Sequence, residues 1–180
     1  MKTEHWMRAA QLPTILAFFE RSLHCQYLIA QVGQKIHPEF VLWATSSNGV
    51  HSTKKCYETL ETYGDTILKL AATWLAYDQL EKDPTADEKK INDMKNSFVT
   101  NLFLFRIGKK LRLSEFMRTK DPDLKAWYPP FTDKAPSHEM VSCTGKNIAD
   151  CVESLLGCFF LSNNLFKTLQ FISDIQLVPL

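Results

Sequence analysis

The chain has 180 residues, 45% of them hydrophobic, and a formal net charge of +1. That is enough apolar material for one sizeable core, so a single domain is expected. The charge balance excludes a globally basic nucleic-acid binder, and any surface for a polyanion has to be a local patch. Cysteines stand at 25, 56, 143, 151 and 158 with no CxxC spacing, which favours reduced thiols and a cytoplasmic or nuclear protein. His24-Cys25 has no second pair at metal-ligand spacing, so no zinc site is expected. No secretory h-region follows Met1, and no apolar run reaches the roughly 18 residues of a membrane span, so no membrane partner is expected.

Residues 1–12 read as a linker or a short helical lead-in, with the domain proper over residues 13–180. After Pro13, the residues Ile15, Leu16, Phe19, Leu23 and Ile29 recur at helical spacing as a core face. Thr14 is a candidate N-cap and Gly33 a candidate stop. His37-Pro38 breaks the chain before a short helix through Phe40–Ala44, and Asn48-Gly49 marks a turn. A long helix is expected from about Cys56 to Leu80, ended by Pro84. Thr85-Ala86-Asp87-Glu88 has capping-box spacing for a helix over roughly 86–102, with Ile91, Met94, Phe98 and Val99 inward. Phe103 to Leu113 continues as another short helix. Residues 119–145, with prolines at 122, 129, 130 and 136, read as a long loop. Helices over about 146–162 and 165–175 follow. No stretch alternates as a strand does, so the chain reads as all-α.

Two of these helices carry acids in a pattern that demands explanation. On the first, Glu58, Glu61 and Asp65 share a face, beside an apolar stripe of Leu60, Ile67, Leu68, Ala71, Trp74 and Leu75. Like charges at i and i+4, as at Glu61 and Asp65, cost a helix about 0.2–0.5 kcal/mol. On the second, Asp150 and Glu153 stand at i and i+3, with Lys146 one turn before and Gly157 one turn after. Apart from Lys146 and Ser154, that helix is almost wholly apolar or small, so it should be buried. Buried acids are costly unless paired or metal-bound. Gly64 and Gly157 sit on the acidic sides and suit close approach of two backbones. Two buried helices, each offering acids across a glycine contact, would make an oxygen-ligand cluster for a hard cation such as Mg²⁺.

The first motif, E-x-L-E-x-x-G-D over Glu58, Leu60, Glu61, Gly64 and Asp65, resembles the ribonuclease III signature. The second, K-x-x-A-D-x-x-E-S-L-x-G from Lys146 to Gly157, resembles that family's other acidic motif. Val99-Thr100-Asn101 and Leu104 to Lys110 resemble the helix pair that follows the signature. Asp121-Pro122, Trp127-Tyr128-Pro129-Pro130 and the closing Leu177-Val178-Pro179-Leu180 resemble the first, a-type, ribonuclease III domain of Dicer-like proteins. The likeness runs from about Leu12 to the C-terminus. It departs at Thr59, where a basic residue is usual, across residues 81–87, and at Lys95 in place of arginine.

The resemblance implies the all-α ribonuclease III endonuclease fold, a helical bundle with the two acidic helices facing each other. It implies Mg²⁺, with Mn²⁺ as an alternative, held by Glu61, Asp65, Asp150 and Glu153. Glu61 and Glu153 would be direct ligands, and Asp65 and Asp150 would complete the site. Lys146 would join the catalytic set by orienting a carboxylate or stabilising phosphate charge, and Glu58 would be structural, paired with a basic residue. The implied activity is hydrolysis of double-stranded RNA to give short 3′ overhangs, as in small-RNA biogenesis by Dicer-like proteins. The implied partners are duplex RNA and a second ribonuclease III domain, in a homodimer or as the b-type domain of a longer protein. Basic residues at 54, 55, 89, 90, 95, 106, 109, 110 and 112 are scattered; lining one surface, they would neutralise phosphates of a duplex read mainly by shape. Two other readings stand beside this one. A catalytically silent dimerisation and RNA-binding scaffold would share the fold. A di-iron carboxylate bundle would need Glu-x-x-His on its helices, which neither acidic helix has.

Overall fold

A computed structural model describes residues 3–33, 35–47, 56–81, 83–118 and 143–174. The expected Asn48-Gly49 turn, the Lys54-Lys55 pair, residues 119–142 of the expected loop and the Leu177–Leu180 motif lie outside the described residues. The described residues form seven helices: α1 (Thr3–Val32), α2 (Pro38–Ala44), α3 (Tyr57–Leu80), α4 (Glu88–Phe98), α5 (Asn101–Lys110), α6 (Gly145–Ser162) and α7 (Leu165–Asp174). A 3-10 turn at Leu113–Glu115 follows α5. Among the described residues there is no strand, only a single parallel bridge between Ser46 and Arg118, and no helix is long and apolar enough to cross a membrane.

The largely apolar character of α6 dictates the architecture. From Ile148 to Phe159 every residue except Glu153 is buried, because α2, α3, α5 and α7 all pack around it. A helix that is apolar all round can be stable only in such a position. Its start is fixed by Thr144, whose hydroxyl accepts from the Asn147 N–H at 3.3 Å. Its far end is held by Asn163, whose amide donates to the Lys35 carbonyl at 2.9 Å. Phe159 stacks on Phe171 with ring centroids 4.4 Å apart, which seats α7.

The pairing of α3 with α6 is the most extensive in the molecule, and glycine makes it possible. A Cβ on Gly64 would collide with the Glu153 carbonyl oxygen, and one on Gly157 with the Leu60 carbonyl. The two backbones therefore touch where the acids are. Buried Ser154 of α6 donates to the Tyr57 carbonyl at 2.7 Å and ties down the first turn of α3.

Four expectations are corrected. α1 does not begin at Thr14: it runs from Thr3 through Pro13 and ends, as its sequence suggests, at Gly33 with φ +69°. Of its expected core face only Ile29 packs, partly buried, against the core, while Ile15, Leu16, Phe19 and Leu23 stay exposed; the residues that α1 buries are Cys25 and Leu28. The reason is reach: α2 is only seven residues long, and it packs on α1 where Arg21 donates to the Leu42 carbonyl at 3.0 Å. Trp74 is 71% exposed rather than part of the inward stripe of α3. α7 meets α3 on the Ala71 and Leu75 side and leaves the indole at the rim of the cleft between them. α4 is capped by Asp87, which accepts from the Lys90 N–H at 2.8 Å, because Asp83 engages both the N–H and hydroxyl of Thr85, at 2.8 and 2.7 Å. Finally, α4 stops at Phe98 and α5 begins at Asn101, capped by Thr100.

Candidate metal centre

The glycine crossing sets one turn of α3 against one turn of α6. Glu61, Asp150 and Glu153 each bring a carboxylate oxygen there, and these atoms all lie within 4.8 Å of one another. Asp150 is buried, while Glu61 and Glu153 are half-buried. Lys146, one turn before Asp150, donates from Nζ to Asp150 Oδ2 at 2.6 Å with most of its side chain in solvent.

The fourth expected acid is placed differently. Asp65 is half-buried beside the cluster but outside the 4.8 Å group, and its Oδ2 accepts from Lys69 Nζ at 2.7 Å. Glu58 is exposed and outside that group, and accepts from the Cys56 thiol at 3.7 Å. Three residues important to the arrangement escaped the sequence reading. Lys69 was legible from its i+4 spacing to Asp65. Ser154 and Tyr57 pin the two helices together, but no local pattern announces a contact between residues so far apart in the chain.

Electrostatics follow from this crowding. Burial first, then the charges of Asp65, Glu61 and Asp150, push the Glu153 carboxyl up to about 7, with Lys69 opposing. Burial and the Asp150 charge also raise Glu61, with Lys146 offsetting part of the effect. The hydrogen bonds to their aspartates raise Lys146 and Lys69. A crowded group of carboxylates whose pKa values are pushed upward, for want of positive charge, makes a site that a cation would stabilise. The donors are oxygens only, from two rigid helices, and suit a hard divalent ion. Cys151 and Cys158 on the same helix are different: burial drives both thiols upward, Cys151 to about 12, so they are inert core side chains.

Beyond the cluster, α5 exposes Arg106, Lys109 and Lys110. Lys109 Nζ lies 5.6 Å from the Phe105 ring centroid, and Phe105 borders Gly145 at the start of α6, next to Lys146. Lys90 is tied to Asp83 at 3.3 Å, and Arg112 to Glu115 at 2.7 Å.

Comparison with known proteins agrees with this geometry. The chain is 32% identical over 130 residues to Dicer-like protein 2 of Neurospora crassa, covering 68% of this chain and 8% of that protein. It is 29% identical over 118 residues to Ribonuclease 3 of Natranaerobius thermophilus, covering 66% of this chain and 44% of that one. The crystal structure of the nuclease domain of ribonuclease III from Campylobacter jejuni superposes with a TM-score of 0.65 at 14% identity, over 83% of this chain and 91% of that chain. A second structure of that nuclease domain, described for structural flexibility in the region involved in dimer formation, gives a TM-score of 0.64 at 14% identity over 82% and 92% of the two chains. The chain thus spans less than a tenth of the Dicer-like relative and under half of the bacterial enzyme. Residues 58–164, from the first acid of α3 to the end of α6, match the ribonuclease III domain family, and the chain belongs to it.

Proposed function

We propose that this chain is a divalent-metal-dependent endoribonuclease domain that hydrolyses double-stranded RNA, of the a-type found in Dicer-like proteins. The observation that carries the reading is the convergence of Glu61, Asp150 and Glu153 oxygens within 4.8 Å across a glycine-mediated helix crossing. Glu61 and Glu153 would ligate the ion directly from opposite helices, and Asp150 and Asp65 would complete the set or hold its waters. Bound there, Mg²⁺ (or Mn²⁺) supplies Lewis acidity, which lowers the pKa of water and neutralises charge building on phosphate oxygens. Lys146 fixes the Asp150 carboxylate through the 2.6 Å bond and adds positive charge on the side where a phosphate would approach. Ser154 keeps Glu153 in register by anchoring the neighbouring turn to α3. Arg106, Lys109 and Lys110 on the adjoining α5 provide the local patch for the duplex backbone.

A single centre of this kind cuts one strand, so paired centres are needed to cut both and leave short 3′ overhangs. The outer face of α3 supports such pairing: Tyr63, Leu70, Trp74 and Tyr77 are 49%, 48%, 71% and 60% exposed. Of these, Trp74 also lines a cleft of about 240 Å³ between α3 and α7. Large exposed apolar patches usually mark interaction sites. The partner is a second ribonuclease III domain, either another copy or the b-type domain of a longer protein.

The test is cleavage of an end-labelled RNA duplex in Mg²⁺ over a protein concentration series, beside Glu153→Gln. Cutting that rises more steeply than protein concentration and vanishes in the variant is expected. Absence of both cutting and metal binding in the unsubstituted chain would overturn the enzyme reading and leave the scaffold.

A further inference from the structure

The long first helix, α1, carries apolar residues on two opposite faces. Cys25 and Leu28 turn inwards, on the side where Arg21 donates to the Leu42 carbonyl of α2. Half a turn round, Leu12, Leu16, Phe19, Leu23 and Tyr27 follow one another at three- and four-residue steps, and all are exposed. At 1.5 Å per residue that stripe is about 22 Å long. A helix that is apolar on both sides belongs between two layers, and a stripe of large apolar side chains marks a surface that something covers. Among the described residues the covering layer is only begun. The chain that leaves α5 runs along one flank of α1, towards its N-terminal end. The Leu111 carbonyl accepts from Gln31 Nε2 at 3.1 Å, Phe116 stacks on Tyr27 with ring centroids 6.0 Å apart, and Arg118 pairs with Glu20 at 3.7 Å. Each contact meets α1 one or two turns nearer its start than the last.

We propose that the next stretch of the same chain, with Leu124, Trp127, Tyr128 and Phe131, docks on the outward stripe of α1 over Leu12, Leu16, Phe19 and Leu23. Residues 119–142 lie outside the described residues, but the points where they leave and rejoin the fold are fixed. They leave at Arg118 beside Glu20, and they rejoin at Cys143, which is partly buried against the core just before α6. From Arg118 to Trp127 the chain can reach up to about 30 Å, whereas Leu12 is only about 12 Å along the helix from Glu20. From Phe131 to Cys143 it can span up to about 40 Å, enough to return. Composition suits the role. The aromatic rings bring a large apolar contact area, and Pro129 and Pro130 restrict the unfolded chain, so ordering this stretch costs less entropy. A second copy could compete for the stripe, but a tethered segment acts at an effective concentration of about millimolar. With the segment docked, α1 is an inner element of the domain, and the aromatic face of α3 remains open for a partner.

The experiment is hydroxyl-radical footprinting of the 180-residue chain, read residue by residue by mass spectrometry over a range of protein concentrations. The proteins compared are the unsubstituted chain, Trp127→Ala/Tyr128→Ala and Phe19→Ala/Leu23→Ala. Phe18 is the internal reference: it neighbours Phe19 but lies off the stripe, and the two are 64% and 58% exposed in the described fold. Phe171, stacked in the core, stays protected in any variant that still folds. In the unsubstituted chain Phe19 should label severalfold more slowly than Phe18, at every protein concentration. In Trp127→Ala/Tyr128→Ala its rate should rise to that of Phe18, and in Phe19→Ala/Leu23→Ala the labelling of Trp127 should rise in turn, as a direct contact requires. Should the first variant lose Phe171 protection, Trp127→Gln alone is read in the same way. Phe19 labelling as fast as Phe18 in the unsubstituted chain overturns the proposal, because the stripe is then bare. Protection of Phe19 that survives the change at Trp127 and Tyr128 also overturns it, and protection that fades on dilution assigns the stripe to a second copy instead.

Discussion

The two helices that make the centre carry the same chemistry in opposite settings. α6 is enclosed on every side, and its acids interrupt an otherwise apolar cylinder. α3 is enclosed on one face only; the other displays aromatic side chains to solvent. The consequence is visible in the carboxylates. Glu153 on α6 is held near neutrality by burial and by its acidic neighbours, while Asp65 on α3 reaches an exposed lysine. Burial fixes where the carboxylate cluster is, while the half-open helix carries the Asp65–Lys69 pair and the exposed aromatic face.

The comparison breaks hardest at Glu153. Replacing it with Gln should lower cleavage by about 10²- to 10³-fold, measured in single-turnover assays with excess protein. Without metal, the same variant should unfold at a higher temperature than the parent at pH 8, because a repelled charge is gone, and in Mg²⁺ the order should reverse. Equal melting temperatures under both conditions would mean that no cation is held there.

The crossing itself comes next. Gly64→Ala or Gly157→Ala forces a Cβ into a backbone carbonyl, and should destabilise the fold by about 2–4 kcal/mol in urea titrations. Far-UV circular dichroism should still report a helical protein. A cost under about 0.5 kcal/mol would deny that the backbones touch.

The outer face of α3 should yield a smaller effect. Trp74→Ala should weaken self-association by about tenfold, read by sedimentation, with metal binding unchanged. A parent that stays monomeric at every concentration would contradict the pairing surface.

The pH dependence is the gentlest probe. The folded-state pKa of Glu153 lies above the ordinary carboxylate range, at about 7, so between those values the folded state binds more protons than the unfolded one. Stability without metal should therefore fall as pH rises from about 5 to 7 and level off above it. Glu153→Gln should flatten that part of the profile, and metal uptake below pH 7 should release protons, which calorimetry in two buffers detects. A profile that rises over this window would contradict the environment assigned to Glu153.

Much of this was legible in the sequence because the chemistry is local. The acid spacings, the two glycines and the apolar run of α6 each announce a face, and together they place two acidic helices against each other. Helix ends were legible where one residue decides, as at Gly33, and less so where neighbours compete. Thr85 looked like the cap of α4, but its hydroxyl went to Asp83 and the cap passed to Asp87. Exposure was hardest to read. Leu23 and Trp74 are apolar at helical spacing, yet periodicity says nothing about whether a neighbouring element is long enough to cover them. The spacing of Lys69 from Asp65 made their pair possible, and only the folded geometry shows that it forms.

The most direct test of the central claim is a crystal structure of the chain with Mn²⁺, located by its anomalous scattering. The account predicts a peak between Glu61, Asp150 and Glu153, with carboxylate oxygens from both α3 and α6 at about 2.0–2.2 Å, and no such peak in Glu153→Gln crystals. Full Mn²⁺ occupancy elsewhere on the molecule, with those three carboxylates bare, would contradict it.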